Sequence, residues 1–575
     1  MDLYLIHSPS YYDFRKDYMI SGSGVAGIPT SSIFEMMPIG LISLAETLQK
    51  YNYKVQIINL ALKMIKKKKL DIEKYIQKLD AEVFAFDLHW MIHAQGSLRI
   101  AEIVKKHHPN SYIVFGGFTA SYFHEELMKN CPFIDFIIRG DSGEIPLLRL
   151  MNNIRFNSKF DSIPNLVWRE GNKIKINAMN HVPDNVEYNG INFPKIYFKM
   201  FLSSHELDLY SYLPTLYFLK KPVIPILFSK GCTYNCINCG GSKFANKIIS
   251  NRTCIAKKNP KIVAQEILNI SQGFNFPIRI IGDWRICGRR YCDKIFQYLG
   301  NYQITNPVTF EFFTPAPEHY IKKLNKNFKR ISIELSPESG NQKVRMFQGR
   351  QFTNKGILDM VKKLKIFNEY ILILWFQVGN ALDSEETLKE TIKFSEDVIK
   401  LAPNESHPFI SPLAPYIDPG SLAFEQSESY GYNITRPNLF SQIEGFNQPI
   451  WKYYLNYETK LMNLDDIIRL SYKYVKKLNE IKLKYKIMSQ EAYRESIKLL
   501  NFLENLTLRV DELWLKEGRE NVNLFLKKLR FDKTGLKIKS NLTPILFPEL
   551  KLLDLFKSGI KYSGYTIKNR FKNLI

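Results

Sequence analysis

Gly231-Cys232-Thr233-Tyr234-Asn235-Cys236-Ile237-Asn238-Cys239 follows directly on an apolar run, 225–229, that reads as a β-strand. Three of the chain's seven cysteines fall in this one loop. An odd total with one tight cluster does not suggest a disulfide framework. Cys232, Cys236 and Cys239 are placed to hold three irons of a [4Fe–4S] cube, leaving the fourth iron without a protein ligand. An open iron can bind a small chelating molecule and pass it an electron. A structural zinc site is the alternative: it wants four ligands, and Cys254, fifteen residues on, is the candidate fourth. Core cysteines by coincidence fit poorly, because Gly and Asn surround them.

Outward from the loop, short apolar runs alternate with helical patterns. Downstream, strands are predicted at 225–229, 278–282, 309–313, 330–335, 371–378 and 409–413, a spacing that suggests a partial (β/α)6 barrel over 223–425. Upstream, strands at 3–7, 54–60, 83–86, 112–115 and 134–138 alternate with helices, which predicts a Rossmann-like doubly wound parallel sheet over 1–150. Between them, 151–222 reads as a connector with a β-hairpin around Glu170-Gly171-Asn172 and an aromatic, irregular remainder. After 425 the β pattern ends. Helices are predicted at 465–487, 499–515 and 521–529, so 426–575 is expected to be a helical C-terminal domain.

The 575 residues admit roughly three to four domains of about 150 residues, in line with that division. A hydrophobic share of 45% excludes disorder as the dominant state. The net charge of +24 raises the question of a polyanionic partner. No RNA-binding module is visible, and the C-terminal Lys and Arg residues alternate with apolar positions as on an amphipathic helix, so nucleic acid is not an expected partner. No signal peptide and no transmembrane segment are visible, and a cytoplasmic protein with reduced cysteines is expected.

The spacing C-x3-C-x2-C at the end of a first barrel strand resembles the radical S-adenosylmethionine (SAM) superfamily, and the likeness continues downstream. Asp283 ends the second strand, where that family sets an acid on the SAM amino group. Ser332-Ile333-Glu334-Leu335-Ser336-Pro337-Glu338-Ser339-Gly340 resembles the fourth-strand motif that contacts ribose and methionyl carboxylate, which implies Glu334, Ser336 and Glu338 as SAM-binding. Gln377-Val378-Gly379-Asn380 resembles the fifth-strand turn, implying Gln377 and Gly379. Asp418-Pro419-Gly420-Ser421 resembles the final turn. The family usually has an aromatic residue before the last cysteine. Here it is Asn238, with Tyr234 nearby, and both are candidates for the adenine end.

A doubly wound sheet ahead of such a barrel resembles the cobalamin (B12)-binding class of radical SAM proteins, through one uncharacterised subgroup. The likeness covers 1–425 and rests on His7 to Lys16, Phe34 to Gly40, Asp87 to Gly96 and Gly140-Asp141-Ser142-Gly143-Glu144. It implies a corrinoid near Asp87, His89, Trp90, Gly116, Gly117, Thr119, Ser121, Gly140, Asp141 and Glu144. Glycine allows close backbone approach to a ring or its tail. Asp87 and His89 keep the D-x-H spacing of the familiar motif, but Ile92 stands at its glycine position. His89 is therefore a cobalt ligand oriented by Asp87, a residue covering the lower face with Trp90, or one that merely packs the loop, and the hydroxyls of Thr119 and Ser121 either hold the nucleotide tail or cap a helix.

The resemblance implies three cofactors: a [4Fe–4S] cluster, SAM and cobalamin. It further implies an enzyme that cleaves SAM to a 5′-deoxyadenosyl radical, abstracts hydrogen from an unactivated carbon and transfers a methyl group from methylcobalamin. The alternatives are a radical SAM enzyme of ring closure or carbon–carbon coupling without methyl transfer, and a non-catalytic cobalamin or redox sensor. The expected partners are a small-molecule, lipid or peptide substrate and an electron donor such as ferredoxin or flavodoxin.

Overall fold

A computed structural model describes residues 1–17, 20, 38–186, 223–273, 275–412 and 417–529. Residues 34–37 of the quoted motif, the aromatic part of the connector at 187–222, the end of the last predicted barrel strand at 413 and the tail from 530 lie outside them.

The N-terminal sheet holds β1 (Leu3–His7), β2 (Val55–Asn59), β3 (Val83–Asp87), β4 (Tyr112–Gly116), β5 (Phe136–Ile138), β6 (Leu166–Glu170) and β7 (Lys173–Ile176). Their order is β2-β1-β3-β4-β5-β6-β7, parallel through β5 and antiparallel beyond it. The predicted hairpin is thus the antiparallel edge of this sheet. Every residue of β1 is buried, as a central strand covered by helices on both faces requires. Strand order reverses between β1 and β3, and the crevice outside their carboxyl ends is where such sheets take ligands.

β8 (Ile224–Leu227) leads into β9 (Ser229–Lys230), which pairs antiparallel with β10 (Ala256–Lys257) and braces the cysteine loop between them. β11 (Ile278–Ile281), β12 (Ile304–Phe312), β13 (Phe328–Glu338), β14 (Glu369–Val378) and β15 (Ser406–Pro412) complete a six-stranded parallel sheet with β8, in the order β15-β14-β13-β12-β11-β8. Helices separate its strands, as predicted for a partial barrel. One face is apolar, with Leu372, Leu374 and Phe376 wholly buried. The opposite face carries Arg279, Glu311 and Glu334, which form one ion-pair network.

The expectation that β structure ends at 425 is corrected by β16 (Tyr432–Ile434) and β17 (Tyr457–Thr459), an antiparallel pair. Three-residue strands are too short to leave a period-two signal. Helix Leu464–Lys484 then packs on β15. The last helical run, Gln490–Lys528, breaks at Gly518 (φ 76°), between the two helices predicted there. One continuous core joins the two large sheets. Among the described residues no helix is long and apolar enough to cross a membrane.

Candidate active site

The cysteine loop leaves β9 at Gly231, whose backbone is left-handed (φ +89°). Contacts from several elements fix it. Ala423 N donates to Ile237 O (2.7 Å), Ile237 N to Gln348 O (3.2 Å) and Gly240 N to Asp418 Oδ2 (2.8 Å). Ser242 caps the helix Lys243–Ser250 that follows. Cys236 is buried, Cys232 and Cys239 are half-buried, and all three are free thiols. Cys254, the fourth zinc candidate, is exposed and donates instead to Asp184 (3.0 Å).

The loop's electrostatics bear on a bound cluster. Burial raises all three thiols, Cys239 to about 12, where Asp418 and Cys236 add to the effect. The Arg350 guanidinium opposes the rise at each of them. Amides do so locally: Tyr234 N donates to Cys232 Sγ (3.4 Å) and Gly241 N to Cys239 Sγ (3.3 Å). Three thiolates here therefore need a positive centre, which a thiolate-bound cluster supplies. No three His, Cys, Asp or Glu side chains among the described residues converge tightly enough for a single metal ion. One cysteine per iron does not require such convergence. The donor set fits the cluster.

Around this loop stand the residues expected at SAM. Glu338, at the end of β13, is buried and accepts from Arg350 Nε and Nη2 (2.9 and 2.7 Å) and from Asn238 Nδ2 (3.3 Å). The amide of Asn238 thus ties the last cysteine's neighbour to the fourth strand. Ser336, two residues earlier, is half-buried, and Glu334, four residues earlier, lies on the polar face. Glu334 is held by Arg279 (2.8 and 2.9 Å). Asp283 is engaged by Arg285 (2.5 Å) and by the amide of Phe313 (2.9 Å). Gln377 Oε1 is buried and lacks a hydrogen-bond partner, an open acceptor on the inner face of β14. The turn at Gly379 is drawn onto Asp383, which accepts from Gly379 N and Asn380 N (3.1 and 2.9 Å) and is pushed by burial up to about 7. Tyr234 is half-buried and meets Phe313 edge-on at 6.1 Å.

On the other sheet, His7 Nδ1 and Asp87 Oδ2 lie 2.7 Å apart across the β1/β3 switch point. Asp87 Oδ1 is buried without a hydrogen-bond partner, so an acceptor faces the crevice region. His89 and Trp90 are exposed, and the His89 ring packs against Trp90 and Phe118 at 5.3 and 4.9 Å. Gly117 (φ +105°) follows Gly116 at the end of β4, and a Cβ on it would lie 2.6 Å from His89 N, so only glycine fits. The Thr119 and Ser121 hydroxyls of the next helix serve the backbone. Thr119 Oγ1 donates to His89 O (2.9 Å), and Ser121 Oγ donates to Gly117 O (2.7 Å) while accepting from Gly140 N (2.8 Å). Asp141 and Glu144 face the barrel rather than the crevice, with Arg252 and Lys230 as partners.

The sequence reading missed Arg350, Arg252, Arg279 and Glu311. A signal existed for two of them: Ile278-Arg279-Ile280 and Phe310-Glu311-Phe312 set single charges into apolar strands, like Ile333-Glu334-Leu335.

Residues 28–148 match the B12 binding domain. The uncharacterized methyltransferase PH0819 of Pyrococcus horikoshii is 22% identical over 327 residues, which is 57% of this chain and 66% of the relative. An anaerobic magnesium-protoporphyrin IX monomethyl ester cyclase of Synechocystis is 24% identical over 209 residues, 32% of this chain and 39% of the relative. The chain thus spans less than two thirds of the length of either relative. In fold it resembles the radical S-adenosylmethionine methyltransferase TsrM of Kitasatospora setae, with a TM-score of 0.53 at 12% identity over 75% of this chain and 78% of that one.

Proposed function

We propose, for a chain with a B12-binding domain and the fold of a radical SAM methyltransferase, that it is a cobalamin-dependent radical SAM enzyme methylating an unactivated carbon. One observation carries the reading. A three-cysteine loop sits at the carboxyl end of the first barrel strand, and the Lys230 and Arg252 that flank it pair with Glu144 and Asp141 of the loop after β5 in the other sheet. Cys232, Cys236 and Cys239 would hold the cluster. Glu334, Ser336, Glu338, Gln377 and Gly379, with Asp283, Tyr234 and Asn238, would surround SAM, and the β1/β3 crevice would seat cobalamin. When bound, the cluster supplies an electron to SAM and the corrinoid supplies a methyl group.

The chain's own residues do the rest. Arg350 favours the ionised thiolates and fixes the Glu338 carboxylate, while Asp418 holds the Gly240 amide and so the far end of the loop. Behind the Gly379-Asn380 turn, Tyr432 and Tyr457 meet edge-on at 5.6 Å and are both buried. That aromatic pair shuts water out from the rear, which protects a reactive site from side reactions. A reduced ferredoxin or flavodoxin would donate electrons, and a small molecule, lipid or peptide would be the substrate.

The likeness to the cyclase supports a second reading, ring closure or carbon–carbon coupling without methyl transfer. The two separate in one experiment. The anaerobically reconstituted protein, with cobalamin, a strong reductant and methyl-labelled SAM, is incubated with a cell extract. Labelled product together with 5′-deoxyadenosine is the expected result. 5′-Deoxyadenosine with no labelled product favours the second reading. B12 binding without any SAM cleavage would make the chain a sensor and overturn both.

A further inference from the structure

The loop at 140–144, at the carboxyl end of β5, meets the cysteine loop through charge. Arg252 is 1% exposed, and its Nε and Nη2 donate to the two carboxylate oxygens of Asp141, the latter at 2.9 Å. Its third nitrogen, Nη1, donates to Pro183 O (3.0 Å). A Cβ on Gly231 would lie 2.8 Å from Arg252 Cδ, so the residue that opens the cysteine loop rests on the arginine's stem. Beside it, Lys230 Nζ donates to Ser142 Oγ (3.2 Å) and lies 3.6 Å from Glu144 Oε2, whose other oxygen accepts from Ser43 (2.6 Å). On the far side, Gly140 N is held by Ser121, in the short helix whose Phe118 packs on His89. The contacts run without a gap from the switch-point crevice to Cys232.

We propose that Asp141 and Arg252, seconded by Glu144 and Lys230, are positioning residues: a buried latch between the two sheets that sets one distance between the β1/β3 crevice and the cysteine loop. The chemistry suits that task. A guanidinium forked onto a carboxylate fixes direction as well as distance. Buried ion pairs add little net stability against apolar replacements, yet removing one partner leaves an unpaired buried charge. Burial would push Asp141 up, but the hydrogen bonds and charge of Arg252 hold it below the usual carboxylate range, so the latch stays ionised at neutral pH. The latch rests on the proposed function for its purpose, since the distance it sets would be that between cobalamin and the cluster.

The test is the dipolar coupling between cob(II)alamin and the reduced cluster in the reconstituted full chain, read by electron paramagnetic resonance. Wild type should give one narrow distance. Asp141→Asn and Arg252→Lys, with both cofactors loaded as in wild type, should shift or broaden it, whereas the same narrow distance in both variants would overturn the latch. Hydrogen exchange of the cofactor-free chain gives an independent reading. Asp141→Asn should speed exchange of the amides at 231–239 by about tenfold while leaving β1 and β3 unchanged. Unchanged exchange at 231–239 would also overturn it. If Arg252→Lys fails to fold, Asp141→Asn and Lys230→Gln carry the same measurements. A wild type that loads neither cofactor would sink the proposed function, and the exchange experiment would still decide the latch.

Discussion

At Glu338 the chain accepts a left-handed backbone (φ +68°) in a side chain that is 2% exposed, a combination that persists only when the surroundings over-determine it. Arg350 and Asn238 supply that constraint. Glu338→Gln strands the Arg350 charge, and the expected loss is about 3 kcal/mol in a denaturant melt of the full chain. Glu385→Gln, at an exposed pair with Lys473 and Arg469, should leave stability almost unchanged. Equal losses at the two positions would contradict the constrained role given to Glu338. This carboxylate was legible in the sequence because it ends a strand inside a motif. Arg350 was not: it lies twelve residues on, past a short helix, and only the fold returns it to Glu338. The same holds for Asp141 and Arg252. Strand-end placement pointed Asp141 toward a ligand, and nothing local to either residue announces a partner in the other sheet.

Among the elements, helix Leu464–Lys484 carries the clearest pH dependence. Its Lys482 is buried with the ammonium 4.1 Å from the centre of the Phe409 ring, and burial lowers it from the ordinary 10.5 to about 7. His407 next to it is lowered to about 4, first by burial and then by the Lys482 charge. Between pH 7 and 10.5 the unfolded chain binds the lysine proton and the folded chain does not, so this group makes stability rise with pH across that window. Below about pH 7 the whole penalty is present. Lys482→Met should therefore stabilise the protein by a few kcal/mol near pH 7, with the gain fading toward pH 10.5. A gain independent of pH would contradict the assignment. The helix itself was legible from its period. The burial of one lysine on it was not, because the pattern reads the same for a lysine that snorkels to water.

At the scale of the whole molecule, two parallel sheets share one core, and the loop after β5 of the first is ion-paired to the residues flanking the cysteine loop of the second. Strand–helix alternation made both sheets legible, since parallel strands need helical crossovers of a dozen or more residues that leave a period in the chain. The antiparallel edge β6–β7 and the pair β16–β17 were harder to assign, because a short hairpin carries no sign of the sheet or turn it will join. The charge of +24 that opened the question of a polyanion is not what builds the site: Arg252, Arg279, Arg285 and Arg350 are each paired with a carboxylate. The most direct measurement of the central claim is iron, sulfide and cobalamin content after anaerobic reconstitution, in wild type and Cys236→Ala. The account predicts about four irons, four sulfides and one cobalamin per wild-type chain, with iron and sulfide lost and cobalamin kept in the variant. Full iron content in Cys236→Ala, or a wild type that takes up iron but no cobalamin, would contradict it.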